Sequence, residues 1–230
     1  FEAYKRVVVA PFFRDHFARL DRQIVLVDAL AAFNAGPEAL HDLEGALAGI
    51  LDCFNTGRRT LLSMMFRPRI DRILFAATKA DHLHRTSHDR LEAILRRMVE
   101  RAASRAEFAG AKTDVVALAA VRATREASVQ HHGETLPSIV GTPMQGEVAG
   151  KETFDGETEV ATFPGDLPAS PDALFNEGTF RGSGSAHPGE ADYRFLRFRP
   201  PRLDATQGEP ALPHIRLDRA LQFLIGDKLQ

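Results

Sequence analysis

Three short apolar runs, Gln23–Asp28, Ile73–Ala77 and Val115–Val121, are separated by stretches whose apolar residues recur every three or four positions. That alternation leaves this chain few folds to adopt. Runs this short, unbroken by polar residues, predict strands buried on both faces of a parallel sheet. After Gly36-Pro37, residues Leu40, Leu43, Leu47, Ile50 and Phe54 share one helical face, and Asn55-Thr56-Gly57 supplies a stop. A second helix is predicted to bury Leu91, Ile94, Leu95, Met98, Val99 and Ala102, with Thr86 and Asp89 as its capping pair. Strand, helix, strand, helix, strand, joined by right-handed crossovers, sets the strands side by side with their carboxyl ends along one edge. The expectation is an α/β fold whose chemistry sits on that edge.

A chain of 230 residues with 44% apolar composition has room for one large domain or two small ones. A formal net charge of -2 gives no electrostatic case for nucleic acid. Cys53 is the single cysteine, which excludes an internal disulfide, and its place on the first helix predicts packing. No apolar run reaches the roughly 18 to 20 residues of a membrane span, so the chain reads as soluble. Composition shifts near Gln130 toward Gly, Pro, Thr and Ser. We therefore expect an α/β portion over 1–129 and a β-rich extension with a closing helix over 130–230 that packs back on it. Glu159–Phe163 and Tyr193–Phe198 alternate like strands, Gly182–Gly189 reads as a flexible loop, and Leu217, Leu221 and Leu224 have helical spacing. Phe1–Val9 shows neither an initiator Met nor a signal pattern, which predicts a piece of a longer protein.

The second run ends in Thr78-Lys79-Ala80-Asp81, a Lys and an Asp two residues apart at a strand end. An Asp so placed accepts from the ring N–H and exocyclic amine of guanine, a bidentate contact that adenine cannot reproduce. Lys79 lays its aliphatic stem along the base plane, and the Thr78 hydroxyl ties the loop to neighbouring backbone. The bland alternative is a strand-to-helix loop with a solvated Lys and Asp. Asp28, closing the run Ile-Val-Leu-Val, is placed to hold Mg2+ through water, because that ion keeps most of its hydration and prefers hard oxygen; an Asp there also serves as a simple helix cap. Ala119 and Ala120, at the end of the third run, are small enough for a backbone N–H to approach the guanine O6. These residues predict GTP or GDP with Mg2+ as the ligand set.

A phosphate cradle needs Gly, four residues, Gly, Lys and Ser or Thr. The nearest match, Gly141-Thr-Pro-Met-Gln-Gly146, continues Glu147-Val148, and negative charge in place of the Lys repels a phosphate. Position 31 is Ala where a backbone contact to the γ-phosphate favours Gly. The cradle is therefore expected upstream of Phe1, and this piece alone is expected not to hydrolyse. His82, His84 and His88 do not share a face and read as polar loop residues, as does His131-His132. Arg67, Arg69 and Arg72 read as a solvated basic connector, and Phe12, Phe13 and Phe17 as core. Arg14-Asp15-His16 and Asp21-Arg22 are charged candidates for a segment contacting the nucleotide. No Gly-x-Ser-x-Gly elbow is present.

Several longer stretches, taken together, resemble the YcjX-like proteins, a group of bacterial P-loop GTPase-like proteins. They are Tyr4-Lys5-Arg6 with Pro11–Phe17, Leu20–Asp28, Ala76–Leu83 with Ser87–Leu91, Phe163–Pro168 and Phe223–Lys228. The resemblance implies part of a P-loop NTPase-type parallel sheet flanked by helices, with a β-rich extension and a carboxyl-terminal helix. It also implies that this chain is roughly the carboxyl-terminal half, the phosphate loop lying in the other. For the whole protein it implies GTP hydrolysis by in-line attack of water on the γ-phosphate. An association with the bacterial envelope-stress (phage-shock) operon is implied too, with a cytoplasmic place, peripheral at the inner membrane. The reading from another class is a non-catalytic interaction module on a degenerate nucleotide-binding scaffold.

Overall fold

A computed structural model describes residues 2–15, 20–55, 70–131, 133–149, 151–174, 196–201 and 212–229. The predicted loop Gly182–Gly189, Arg67, Arg69, His16, Phe17, His132 and Tyr193 lie outside the described residues, as do the side chains of Phe13, Arg14, Asp15, Ile50, Cys53 and Phe54.

The predicted parallel sheet forms from β1 (Arg22–Val27), β2 (Arg72–Ala77) and β3 (Lys112–Ala117), in the order β1-β2-β3. Arg22, Arg72 and Lys112 stand opposite one another at one end and Val27, Ala77 and Ala117 at the other, so the carboxyl ends are level. A helix, α1, precedes the sheet, α-helical over Glu2–Tyr4 and Ala10–Asp15 with a π-helical stretch Lys5–Val9 between. Helices α2 (Ala29–Ala35) and α3 (Pro37–Asn55) connect β1 toward β2, and α4 (His88–Phe108) connects β2 to β3. The predicted faces meet: Leu91, Ile94, Leu95, Met98, Val99 and Ala102 of α4 pack with Leu40 and Leu47 against Val27, Phe75 and Val115. Each fully buried side chain of this size contributes about 1.5–3 kcal/mol. On the other sheet face, Leu74, Ala76 and Val116 are covered by α5 (Leu217–Ile225) through Ala220, Leu217 and Leu224.

Three local expectations are corrected. The third strand lies earlier than Val115–Val121, because Lys112-Thr113-Asp114 pair with Arg72–Leu74 and their polar side chains find partners, Thr113 in Glu107 and Asp114 in Arg219. Its end departs from the sheet, where Ala119 exchanges backbone hydrogen bonds with Ile215 at 3.2 and 2.9 Å. The first run is buried on one face only, and Ile24 and Leu26 lie open on the other. The start of α4 is Ser87 rather than a Thr86–Asp89 box; Thr86 sits in a preceding turn whose amide is capped by His84 Nδ1 at 3.4 Å.

The second half opens with antiparallel β4 (Arg125–His131) and β5 (Glu134–Gly141), joined through Gly133 at φ +85°, a left-handed turn position that suits Gly. After the short hairpin of β6 (Val148–Ala149) and β7 (Glu152–Thr153), β8 (Val160–Thr162) joins β5 within the predicted alternating run. Phe198 bridges Pro143. Phe163–Pro168 docks on α4, since Leu167 is buried and its C=O accepts from Arg90 at 2.8 Å.

The carboxyl-terminal stretch Phe223–Lys228 is held at the amino end of the sheet. Asp227 receives Arg22 at 2.6 and 2.7 Å and Arg72 at 3.1 Å, and the Arg22 hydrogen bond holds its carboxyl at about 2. Arg72 also donates to the Phe223 C=O and lies over the Phe223 ring at 5.8 Å, so it is a docking residue and not part of a solvated connector. Asp21 pairs with Lys228 at 2.5 Å. Asp21 and Arg22 are therefore at the far end of β1 from Asp28, where they hold the carboxyl-terminal stretch. Among the described residues no helix is long and apolar enough to cross a membrane.

Candidate functional site

The parallel register brings the sequence-predicted residues to one edge. Asp28 follows β1, Thr78 to Asp81 follow β2, and Ala119-Ala120 follow β3. Thr78 fastens its loop to the neighbouring strand, its N–H and hydroxyl both donating to the Val27 C=O at 2.9 and 3.3 Å. Lys79 has φ +62°, a left-handed conformation that costs a non-glycine residue about 1–2 kcal/mol. Strain of this kind collects at functional turns. Its Nζ lies 2.6 Å from Asp28 Oδ2, while Asp28 Oδ1 caps α2 by accepting from the Ala31 N–H at 3.2 Å. Asp28 is thus both a helix cap and a carboxylate facing the loop. Among the described residues no cluster of three His, Cys, Asp or Glu could hold a metal.

Asp81 is 5% exposed, and its Oδ2 accepts from the Ala123 N–H at 2.9 Å. Thr124 returns the contact, its hydroxyl donating to the Asp81 C=O at 2.5 Å. A carboxylate offers about four lone-pair sites, so a second acceptor oxygen is compatible with the Ala123 contact. The Ala119 N–H is taken by Ile215, whereas Ala120 is exposed and its N–H meets no acceptor among the described residues.

Sequence reasoning missed the residues that hold this loop. His88 is buried, and its Nε2 lies 2.9 Å from the Ala80 C=O and 3.3 Å from the Leu83 C=O. Carbonyls only accept, so Nε2 carries the proton. The spacing of His84 and His88 signals no metal, but a His at the first position of a helix after a tight loop is a signal for such a clasp. His82 packs edge-on to Phe198, with centroids 5.7 Å apart, joining the loop to the β-rich half. The Ala80 N–H donates to Leu118 at 3.2 Å and the Arg122 N–H to Pro213 at 2.7 Å.

Burial pushes the imidazoles of both His82 and His88 below their ordinary value. The unfolded chain, with pKa near 6.5, then binds more protons, so this contribution to stability is complete above about pH 6.5 and is lost as pH falls below it. Unfolding free energies from urea titrations at pH 7.5 and 5.5 are expected to fall with pH, by at most about 1.4 kcal/mol per pH unit per histidine. His88→Gln, which keeps a donor, is expected to narrow the fall.

A cleft of about 830 Å3 is lined by Arg122, Ala123, Arg125, Glu159 and Arg199. Its guanidiniums are engaged by Glu126, Glu159 and the Gly156 C=O respectively.

The sequence model of the YcjX-like family, DUF463, matches residues 1–229. Two curated relatives, both named Ras-like GTPase YcjX, are similar along the whole chain. The one from Escherichia coli K12 is 38% identical over 230 residues, covering 100% of this chain and 44% of its own. The one from Shewanella oneidensis MR-1 is 34% identical over 236 residues, covering 100% and 43%. The chain therefore spans less than half the length of these relatives.

Proposed function

The chain belongs to the YcjX-like family, and on that premise we propose that its sheet edge is the base-reading part of a guanine-nucleotide site in a GTPase. The carrying observation is convergence: three residue sets far apart in sequence follow the level ends of adjacent parallel strands, with Lys79 paired to Asp28 and the Ala80 N–H bonded to Leu118, the neighbour of Ala119. Asp81 accepts from the guanine N–H groups, Lys79 lies along the base, Thr78 anchors the loop and Ala120, beside Ala119, donates to O6. Asp28 fits an outer-sphere Mg2+ role, being a hard carboxylate at the strand end. When bound, Mg2+ neutralises charge on the phosphates during hydrolysis by the whole protein. A cytoplasmic place and an envelope-stress partner belong to the same proposal and rest on the family resemblance alone.

A second reading, an interaction module on a degenerate scaffold, is favoured by two contacts: Ile215 occupies the Ala119 N–H and Ala123 occupies one Asp81 oxygen. Titration of the protein made from the complete reading frame separates the two. GDP binding well above ADP binding supports the nucleotide site; equal or no binding supports the scaffold.

Asp28→Ala is expected to leave GDP affinity within about threefold while lowering turnover and shifting its Mg2+ dependence to higher concentration, by roughly 10-fold for one lost charge-assisted contact. The same turnover curve across a magnesium titration would remove Asp28 from that role.

A further inference from the structure

The cleft beside Ala123 is walled by the connector after β3, the end of β5 and the stretch Arg199–Pro201. Its volume of about 830 Å3 falls in the roughly 300–1,000 Å3 range of small-molecule sites. Val140, Pro200, Pro201 and Pro213 give it an apolar side. Its three guanidiniums are not neutralised alike. Arg122 pairs with Glu126 at 3.2 Å and Arg125 with Glu159 at 2.7 Å. Half-buried Arg199 instead donates through Nη1 to a neutral group, the Gly156 C=O, and among the described residues no carboxylate pairs with it. Its Nε and Nη2 donors are left for a bidentate grip on an oxyanion. Glu157 stands on the same wall as an exposed carboxylate, so an anion must carry its charge at the Arg199 end.

Two residues of this cleft also hold Asp81, Ala123 through its N–H and Thr124 through its hydroxyl. Arg122 Nε in turn donates to the Thr124 C=O at 2.8 Å. Gly141 lines the cleft as well, and a Cβ there would stand 2.8 Å from Phe198 Cδ1. Phe198 therefore closes on bare backbone, while its ring packs on His82, the neighbour of Asp81. We propose that the cleft binds a small organic anion, its carboxylate or phosphate held by Arg199 and its apolar body against the prolines, and that occupancy is felt at Asp81 through Ala123 and Thr124. The anion site stands on the cleft alone, whereas its effect on a nucleotide rests on the base-reading role given to Asp81. Such coupling is reciprocal: the nucleotide changes the anion's affinity by the same factor.

The test uses the protein made from the complete reading frame, in excess GDP so that other phosphate-binding groups are filled. Calorimetry follows phenyl phosphate, benzoate and, as the neutral control, benzyl alcohol. One of the two anions is expected to bind with Kd below about 1 mM, and benzyl alcohol at least about 10-fold more weakly. Tighter phenyl phosphate assigns a phosphate ligand, and tighter benzoate a carboxylate. Arg199→Met is expected to weaken the anion about 10-fold or more, and Glu157→Gln, at an exposed position, to tighten it about threefold. No saturable binding of either anion, or binding that Arg199→Met leaves unchanged, overturns the proposal. Where Arg199→Met fails to fold, Glu157→Gln decides, and an unmoved affinity overturns it equally. Exchange of the Ala123 amide is expected to slow about threefold or more with the anion bound; an unchanged rate overturns the link to Asp81. Failure of the nucleotide reading looks different: no GDP binding by the unaltered protein, with anion binding and its dependence on Arg199 intact.

Discussion

Asp81→Asn is expected to lower GDP affinity of the complete protein about 100-fold or more and to raise affinity for xanthosine diphosphate. The carboxylate accepts from two guanine donors, and each hydrogen bond to a charged group contributes about 1.5–3 kcal/mol, so losing the match is worth at least one to two decades in Kd. An amide presents one acceptor and one donor. Opposite guanine its NH2 faces the exocyclic amine, donor against donor; opposite xanthine it faces a carbonyl and the pairing is restored. The local structure should tolerate the change, because the amide oxygen can still accept from the Ala123 N–H that Asp81 Oδ2 now holds at 2.9 Å. Melting temperature measured beside the two titrations keeps stability and recognition apart. An unaltered ratio of guanine to xanthine affinity would sink the base-reading role of Asp81, whereas a lowered Tm with no binding by either protein would point to the scaffold.

The sequence made the edge legible and left its support hidden, for a physical reason. Short apolar runs ending in Asp28 and in Thr78–Asp81 are local signals, and the parallel register that aligns them follows from the helices between. Nothing local announces that Ile215 bonds to Ala119, or that Arg22 reaches Asp227 across 205 positions. Those partners are chosen by tertiary packing. The start of β3 lies outside the apolar run Val115–Val121 because Thr113 and Asp114 are polar and find their partners, Glu107 and Arg219, only in the folded chain. The first run read as doubly buried because Ile24 and Leu26 are apolar, which states what they prefer and not what covers them.

Glu92→Ala is expected to cause the largest loss of stability, about 3 kcal/mol. Glu92 follows Leu91 on α4, where its charge reads as a solvated helix residue, yet its side chain is only 9% exposed. Its Oε1 accepts from the Ala117 N–H at 3.0 Å, from Arg216, and from Arg219 at 3.1 Å. Arg216 continues to Asp89 at 2.7 Å and Arg219 to Asp114 at 3.2 Å, so one carboxylate joins α4, β3 and α5. Breaking a buried pair costs about 3–5 kcal/mol because the surviving charge is left uncompensated. The lower figure applies here, since both arginines are partly exposed and keep Asp89 and Asp114. Glu92→Gln retains the acceptor for Ala117 and should lose about half as much, whereas Glu92→Leu combined with Arg219→Leu should recover part of the loss, a coupling that a double-mutant cycle reads directly. Arg216 stands next to Ile215, the residue that holds Ala119. Glu92→Ala should therefore also speed amide exchange at Ala119 before the rest of β3 opens, and an unchanged urea midpoint would show that the network contributes nothing to the fold.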